Sequence, residues 1–402
     1  MNTETQYQKL PQEMKLLALC ARNTMSEQEQ KSAQEIIGNG INWNTFCTMA
    51  NKHKIYPVVF PNLRKLNNEK VDREILQKLE GKCKSNQMKA LGFTSELIKV
   101  MRLLTEQNIR AISIKGPCLA MSIYQDISKR VSRDLDILVN SRDLAQIDQI
   151  LRDAGYASED AFFQLSPKQF RAHLKKAHHV SYSNQMGVHL EIHWRLSNSN
   201  YGISFENAWD SGKEMELYGQ SIHVLSPEEN LLYLILHGSK HAWKRLRWLC
   251  DVYEIVSSHV LDWEYIQKQA KKTGVFYQIK QTEYLLKILL QYDMPVQLKV
   301  GRADERMGKR LAEMAIPVIT AMDDSPELQG HGLYGHVLIY AYIWRKSFGK
   351  RIYFLSSLLV PGTAEFDSWK IKDRYFFLYY FLRPFRILNT CVRLRIRERG
   401  RK

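Results

Sequence analysis

Apolar residues recur at three-and-four spacing over 4–22, 26–37, 43–52 and 71–106, which predicts a helical first hundred residues. The breaks fall at Gly38-Asn39-Gly40 and at Pro57 and Pro61, and Thr24 or Ser26 is placed to cap the second helix. The period then changes. Ile109 to Ile114 alternates like a strand and stops at Lys115-Gly116-Pro117, with a short helix expected over about 118–125. Asp134 to Val139 alternates again, and Ser141 opens a helix that reaches Ala154-Gly155. A hairpin is predicted from strands at roughly 178–183 and 188–195 around the turn Asn184 to Gly187. Pro227-Glu228-Glu229 starts another helix with acids at its positive end, running to about Trp243, and a further helix reaches about Ser257. Helices are also expected at 263–291, 304–322 and 333–347.

This pattern predicts an α+β protein in three parts: an N-terminal helical domain (1–105), a small mixed-sheet core (106–225) and a C-terminal helical domain (226–402). No internal repeat or low-complexity linker marks the joins, so the boundaries rest on the change of period alone.

A chain of 402 residues with 45% hydrophobic residues is large enough for more than one domain and has the make-up of a globular protein. The formal net charge of +16 points to anionic partners. Part of it is concentrated between 381 and 402, where Arg383, Arg386, Arg393, Arg395, Arg397, Arg399, Arg401 and Lys402 face a single Glu398. The six cysteines form no CxxC or Cys/His metal spacing, which predicts free thiols. The first residues lack the cationic start and apolar run of a secretory signal, and the longest apolar block, Phe376 to Leu382, is far below the ~18 residues of a membrane span. A cytoplasmic protein is therefore expected. The basic tail beside the aromatic block at 375–385 offers a second possibility, peripheral attachment to an anionic membrane surface.

The chemistry concentrates on a few acids. Asp134 and Asp136 are two apart on a strand, so both project from one face while Leu135, Ile137 and Val139 take the other. Two adjacent carboxylates repel unless a cation neutralises them, and hard oxygen ligands suit Mg²⁺ or Mn²⁺. In Gly187 to Trp194, Glu191 shares a face with His189 and His193, opposite Val188, Leu190, Ile192 and Trp194. If that strand neighbours the first, three acids converge on one metal-binding patch, as two-metal nucleotidyl transfer requires. A D-x-D pair alone is also an ordinary surface motif, able to pair with Arg130 or Arg133.

The string IKGPCLAMSIYQDISKRVSRDLDILV (114–139) resembles the signature of the uncharacterised nucleotidyltransferase family within the polymerase-β superfamily. The matching residues are Lys115-Gly116, Tyr124, Arg130 and Asp134-Leu135-Asp136, with Glu191 similar to the superfamily's third carboxylate. His237, His241, Arg245, Trp248 and Asp251 resemble a second family pattern, and weaker echoes lie at Trp43 to Pro57 and at 378–388. The resemblance implies a divalent metal and transfer of a nucleoside monophosphate from an NTP with release of pyrophosphate. It departs from the superfamily in having Lys115-Gly116-Pro117 where a Gly-Gly or Gly-Ser turn is usual, with a long gap to the first Asp. On this basis Gly116 would let backbone amides approach phosphate, Lys115 would neutralise it, and Arg130 would hold it through its planar fork. Tyr124 is expected to pack.

His237 and His241 fall on one helical face with Lys240 and Arg245 close by. They are expected either to offer imidazole and cation to the nucleotide or to join a structural network with Asp251. A zinc site there would lack the glutamate of HExxH and a third ligand. No Ser-His-Asp or Cys-His pattern, P-loop or specific nucleic-acid motif appears. The expectation is a nucleotidyltransferase acting on an unidentified hydroxyl or phosphate acceptor: a sugar phosphate, a peptide or protein, a small molecule or RNA. A catalytically silent nucleotide-binding scaffold is the alternative.

Overall fold

The computed structural model describes residues 3–66, 68–158, 164–196, 203–295, 297–321, 339–340, 343–344, 352 and 359–386. The basic segment 387–402 and most of the helix expected at 333–347 lie outside them. The fold is α+β.

Six helices precede the sheet: α1 (Thr3–Gln8), α2 (Gln12–Cys20), α3 (Glu27–Gly38), α4 (Trp43–His53), α5 (Tyr56–Lys65) and α6 (Arg73–Glu106). The helix expected over 4–22 is two helices, because Pro11 lacks the N–H that would continue it and stands as the N-cap of α2. Ser26 caps α3, with Glu29 reciprocating in a capping box. Pro57 and Pro61 do not break the chain. Pro57 falls in the first turn of α5, where no N–H is needed, and the helix carries Pro61 within it.

Seven strands form one mixed sheet: β1 (Ala111–Ser113), β2 (Asp134–Val139), β3 (Tyr156–Ser158), β4 (His179–Asn184), β5 (His189–His193), β6 (Lys213–Leu217) and β7 (Gln220–Val224). Their order is β3-β4-β5-β2-β1-β7-β6. The central pair β2 and β5 is parallel, with Asp136 opposite Glu191 and Leu138 opposite His193. Between and after the strands come α7 (Gly116–Tyr124), α8 (Leu144–Asp153), α9 (Pro167–Lys176) and α10 (Phe205–Ser211). One face of the sheet sends Leu135, Ile137, Val139, Leu190 and Ile192 into a core shared with α6 and α8.

The later helices are α11 (Pro227–Lys240), α12 (Leu246–Ser258), α13 (Trp263–Thr273), α14 (Phe276–Leu290), α15 (Arg302–Thr320) and a short α16 (Thr363–Ser368). The single helix expected at 263–291 is divided by Gly274, whose φ of +69° ends α13 in the left-handed region. A second, larger core is continuous across the two helical regions, joining Leu16, Leu17, Phe46 and Leu63 to Leu234, Trp243, Leu286 and Leu311. Buried polar groups stitch the same join. Arg245 donates to the Lys52 carbonyl, the Leu246 N–H donates to His53 Nδ1 at 3.1 Å, and the Asn23 N–H donates to Glu254 at 2.7 Å. The echo at Trp43 to Pro57 therefore includes a residue, His53, that holds the start of α12.

Candidate active site

The register of β2 and β5 sets the site. Asp136 is buried and Glu191 is about a quarter exposed, and the two stand side by side across the parallel strands. His193 stands between them, with Nε2 3.0 Å from Asp136 Oδ1 and 3.0 Å from Glu191 Oε2. Asp136, Glu191 and His193 offer ligand atoms within 4.8 Å of one another. Asp134 lies one pleat earlier and is coupled electrostatically to Asp136, Lys115, Glu191 and Arg247.

The charges are strongly interdependent. Burial and then the neighbouring Asp136 push the Asp134 carboxyl up. Burial also opposes ionisation of Asp136, but Lys115 and His193 outweigh it and hold that carboxyl well below the usual range. Burial works against protonation of His193, yet its bonds to Asp136 and Glu191 push it up to about 8. Lys115 Nζ lies 3.9 Å from Asp136 Oδ2 and 5.0 Å from the ring centroid of the buried Tyr233 on α11. Despite burial, Asp136 and Tyr233 keep its ammonium above the ordinary lysine value. Asp136 Oδ2 itself finds no hydrogen-bond partner among the described residues. A buried carboxylate oxygen left unbonded is costly unless something else meets it.

Lys115, two residues past the end of β1, is the N-cap residue of α7, and Gly116 opens that helix with φ +63°, a conformation that favours glycine. An added Cβ would also meet Leu135 Cδ2 at 3.5 Å. The tight turn brings the start of α7 beside the acids.

Arg130 is placed differently from the expectation. Its guanidinium is buried, and its Nε donates to Asp251 Oδ2 at 3.0 Å, while the Tyr124 hydroxyl donates to Asp251 Oδ1 at 3.1 Å. The Arg130–Asp251 pair therefore fastens the segment before β2 to α12 at a point four residues ahead of Asp134. Arg245 is the N-cap residue of α12, and its guanidinium donates to the Lys52 carbonyl. His237 and His241 pack their rings 5.0 Å apart and against Trp248 at 5.0 and 5.6 Å. Burial and then Lys115 lower the His237 pKa, and burial with Lys240 lowers that of His241 to about 4, so both rings are neutral at pH 7. Lys240 ends α11 between them.

Two residues near the acids were not singled out by the sequence pattern. Arg247 donates to the Val131 carbonyl and couples to Asp134, with burial and then Arg130 lowering its pKa to about 10. His193 was visible only as a neighbour of Glu191 on an alternating strand.

A mixed sheet that presents acids from two adjacent parallel strands beside a buried lysine has the make-up of a nucleotidyltransferase. A family model described as uncharacterised nucleotidyltransferase matches residues 39–291, well over half of the chain, and the chain belongs to that family of nucleotidyltransferases. No curated protein matches it. Similar solved structures include a lincosamide antibiotic adenylyltransferase bound to lincomycin, 18% identical over 41% of this chain and 97% of that one, with a TM-score of 0.30. Another is an antigenic nucleotidyltransferase-like protein from Paracoccidioides brasiliensis, 14% identical over 50% of this chain and 93% of that one, with a TM-score of 0.34. At those TM-scores neither bears on the chemistry of this chain.

Proposed function

We propose that the chain moves a nucleoside monophosphate from an NTP to a hydroxyl or phosphate acceptor, releasing pyrophosphate, with Asp134, Asp136 and Glu191 as the ligands of Mg²⁺ or Mn²⁺. The observation that carries this is the direct pairing of Asp136 with Glu191 across parallel strands, together with the unbonded, buried Oδ2 of Asp136. Two carboxylates with a spare lone pair, bordered by the His193 imidazole, fit a hard divalent ion, and Asp134, one pleat away and outside that converging group, would supply the third oxygen. When bound, such an ion supplies charge neutralisation for the triphosphate and a lowered pKa for the attacking hydroxyl.

The chain's own groups do the rest. Gly116 allows the first amides of α7 to approach phosphate oxygens, and Lys115 brings a fixed positive charge to the same place. Lys240 and His237 at the end of α11, with His241 just after it, would form a facing wall, where neutral imidazoles can exchange hydrogen bonds with a base or sugar. Arg130 and Arg245 are positioning residues in this scheme, holding the β2 approach and α12 in place. Asp136→Asn keeps the shape of the side chain and removes its charge, and should abolish Mg²⁺-dependent NTP binding and pyrophosphate release. NTP binding without release by the native chain would favour the scaffold alternative. Unchanged release in the variant would overturn the assignment.

A separate surface supports peripheral membrane attachment. Residues 378–386 form a helix whose underside is fixed by Tyr379, which packs against Phe366 and Phe376, and by Arg383, which donates to the buried Glu365 at 2.6 Å. Phe377 just before it and Phe381 and Phe385 on its outer side, at four-residue spacing, are exposed by 55%, 68% and 70%. We propose that this stripe enters an anionic membrane surface beside the basic segment 387–402. Each Phe that leaves water there contributes on the order of 2 kcal/mol, and each nearby Arg about 1 kcal/mol. Co-sedimentation with phosphatidylserine-containing vesicles should fall for Phe381→Ser/Phe385→Ser and for a chain ending at 374. Equal pelleting of all three would rule the surface out. No helix among the described residues is long and apolar enough to cross a membrane.

A further inference from the structure

Beside the carboxylates lies a second group of metal-ligating side chains that the proposed nucleotidyl chemistry does not use. His178 precedes β4, His179 begins it, and His193 ends β5, directly opposite His179 in the antiparallel register. The three rings converge, with centroids 4.6, 5.4 and 5.0 Å apart, and each offers a nitrogen within 4.8 Å of a nitrogen on the other two. Imidazoles bound to one tetrahedral ion at ~2.0–2.1 Å stand about 3.3 Å apart, so small side-chain rotations close the remaining distance.

Two further features favour a cation here. His179 Nδ1 is 3.7 Å from Glu191 Oε2, which brings a carboxylate to the edge of the imidazole group. His193 gives Nε2 to Asp136 and Glu191, while its buried Nδ1 has no hydrogen-bond partner among the described residues. A histidine with one nitrogen on a carboxylate and the other unmatched has the arrangement usual for metal-ligating imidazoles, whose second nitrogen is oriented by an acid. Burial, then His193, His179, Lys240 and Arg195, lower the His178 pKa, which keeps that ring neutral, the form that ligates a metal.

We propose that His178, His179 and His193 form a binding site for a transition-metal ion of the zinc and cobalt class, adjacent to the oxygen-lined Mg²⁺ position. Imidazole nitrogens suit Zn²⁺, Co²⁺ or Ni²⁺, whereas Mg²⁺ takes oxygen. The two positions are thus selected by donor chemistry and share a boundary at His193 and Glu191. An ion at the imidazole site would pin the start of β4 to the end of β5.

The test uses the full chain without a polyhistidine tag, stripped with a chelator and titrated with Co²⁺ under a large excess of Mg²⁺. One equivalent of Co²⁺ should bind and give the visible absorption of a nitrogen-rich, low-coordinate site. That band should be lost in His178→Gln/His179→Gln and kept in Asp134→Asn, with thermal melting used to show that each variant is folded. If the double variant does not fold, His178→Gln alone is read in its place, since that half-buried ring lies outside the strand. No band, a band that survives the histidine substitutions, or a band lost in folded Asp134→Asn would overturn the proposal. Failure of the nucleotidyl assignment is distinguishable, because it is read from pyrophosphate release with Mg²⁺ alone.

Discussion

Replacing Asp251 with Ala removes the only acid of the Arg130–Asp251–Tyr124 group and leaves two donors facing its vacated position. Asp251 is fully buried and its guanidinium partner nearly so. At the observed 3.0 Å between Arg130 Nε and Asp251 Oδ2, an effective dielectric of ~20 gives an attraction of about 5–6 kcal/mol before desolvation. Stripping one partner from a buried pair costs about 3–5 kcal/mol, and an orphaned hydroxyl about 1–3 kcal/mol. These terms overlap, so Asp251→Ala should lose about 4–6 kcal/mol, a large share of the ~5–15 kcal/mol that holds a protein folded. Asp251→Asn keeps an acceptor for Tyr124 and should lose about 2–3 kcal/mol. The double change Arg130→Met/Asp251→Leu, which leaves no bare charge, should recover most of the loss. Urea unfolding of the four proteins at one pH measures all of this. A loss under about 1 kcal/mol in Asp251→Ala, or a double variant no better than the single, would refute the structural role given to Arg130.

Glu254 makes stability depend on pH. Burial, opposed by the Asn23 N–H and reinforced by Asp251, pushes its carboxyl up from 4.5 to about 7. Its contribution is complete below pH 4.5 and disappears as pH rises through 7, so about 3 kcal/mol is lost across that window. Glu254→Gln should flatten that part of a urea-midpoint profile taken from pH 4.5 to 8, and parallel profiles for both proteins would reject the assignment. Gly238→Ala would place a Cβ 2.4 Å from the ring of the fully buried Trp243. The clash should outweigh the ~1 kcal/mol gain in helix propensity and give a net loss of about 1–3 kcal/mol, with a raised melting temperature as the contrary result.

The strands carrying the acids were legible because their alternation is local. Asp134 to Val139 bury one face against α6 and α8, and that demand is written in every second residue. The hairpin β6–β7 was not visible, because Lys213 to Leu217 are mostly exposed and charged and their order comes from pairing with β7. Helix α5 was hidden by its prolines, whose positions within a helix decide whether they break it. The partner of Arg130 lies 121 residues away, a separation at which no local pattern can report a contact. The acids fall on neighbouring strands, but the sequence could not say that His193 would stand between two of them.

The larger core has a consequence for synthesis. Leu16, Phe46 and Leu63 share one core with residues on helices that begin at Pro227 and continue beyond Phe276. At ~5–20 residues per second, a ribosome that has finished α5 needs roughly 10–45 s to deliver α14. Throughout that interval α2 to α5 can pack on one another, but the apolar surface they share with α11 and α14 has no cover. The join between the first helices and the later ones is thus completed only as the last third of the chain emerges, and the helices that come first are among the last to be fully secured.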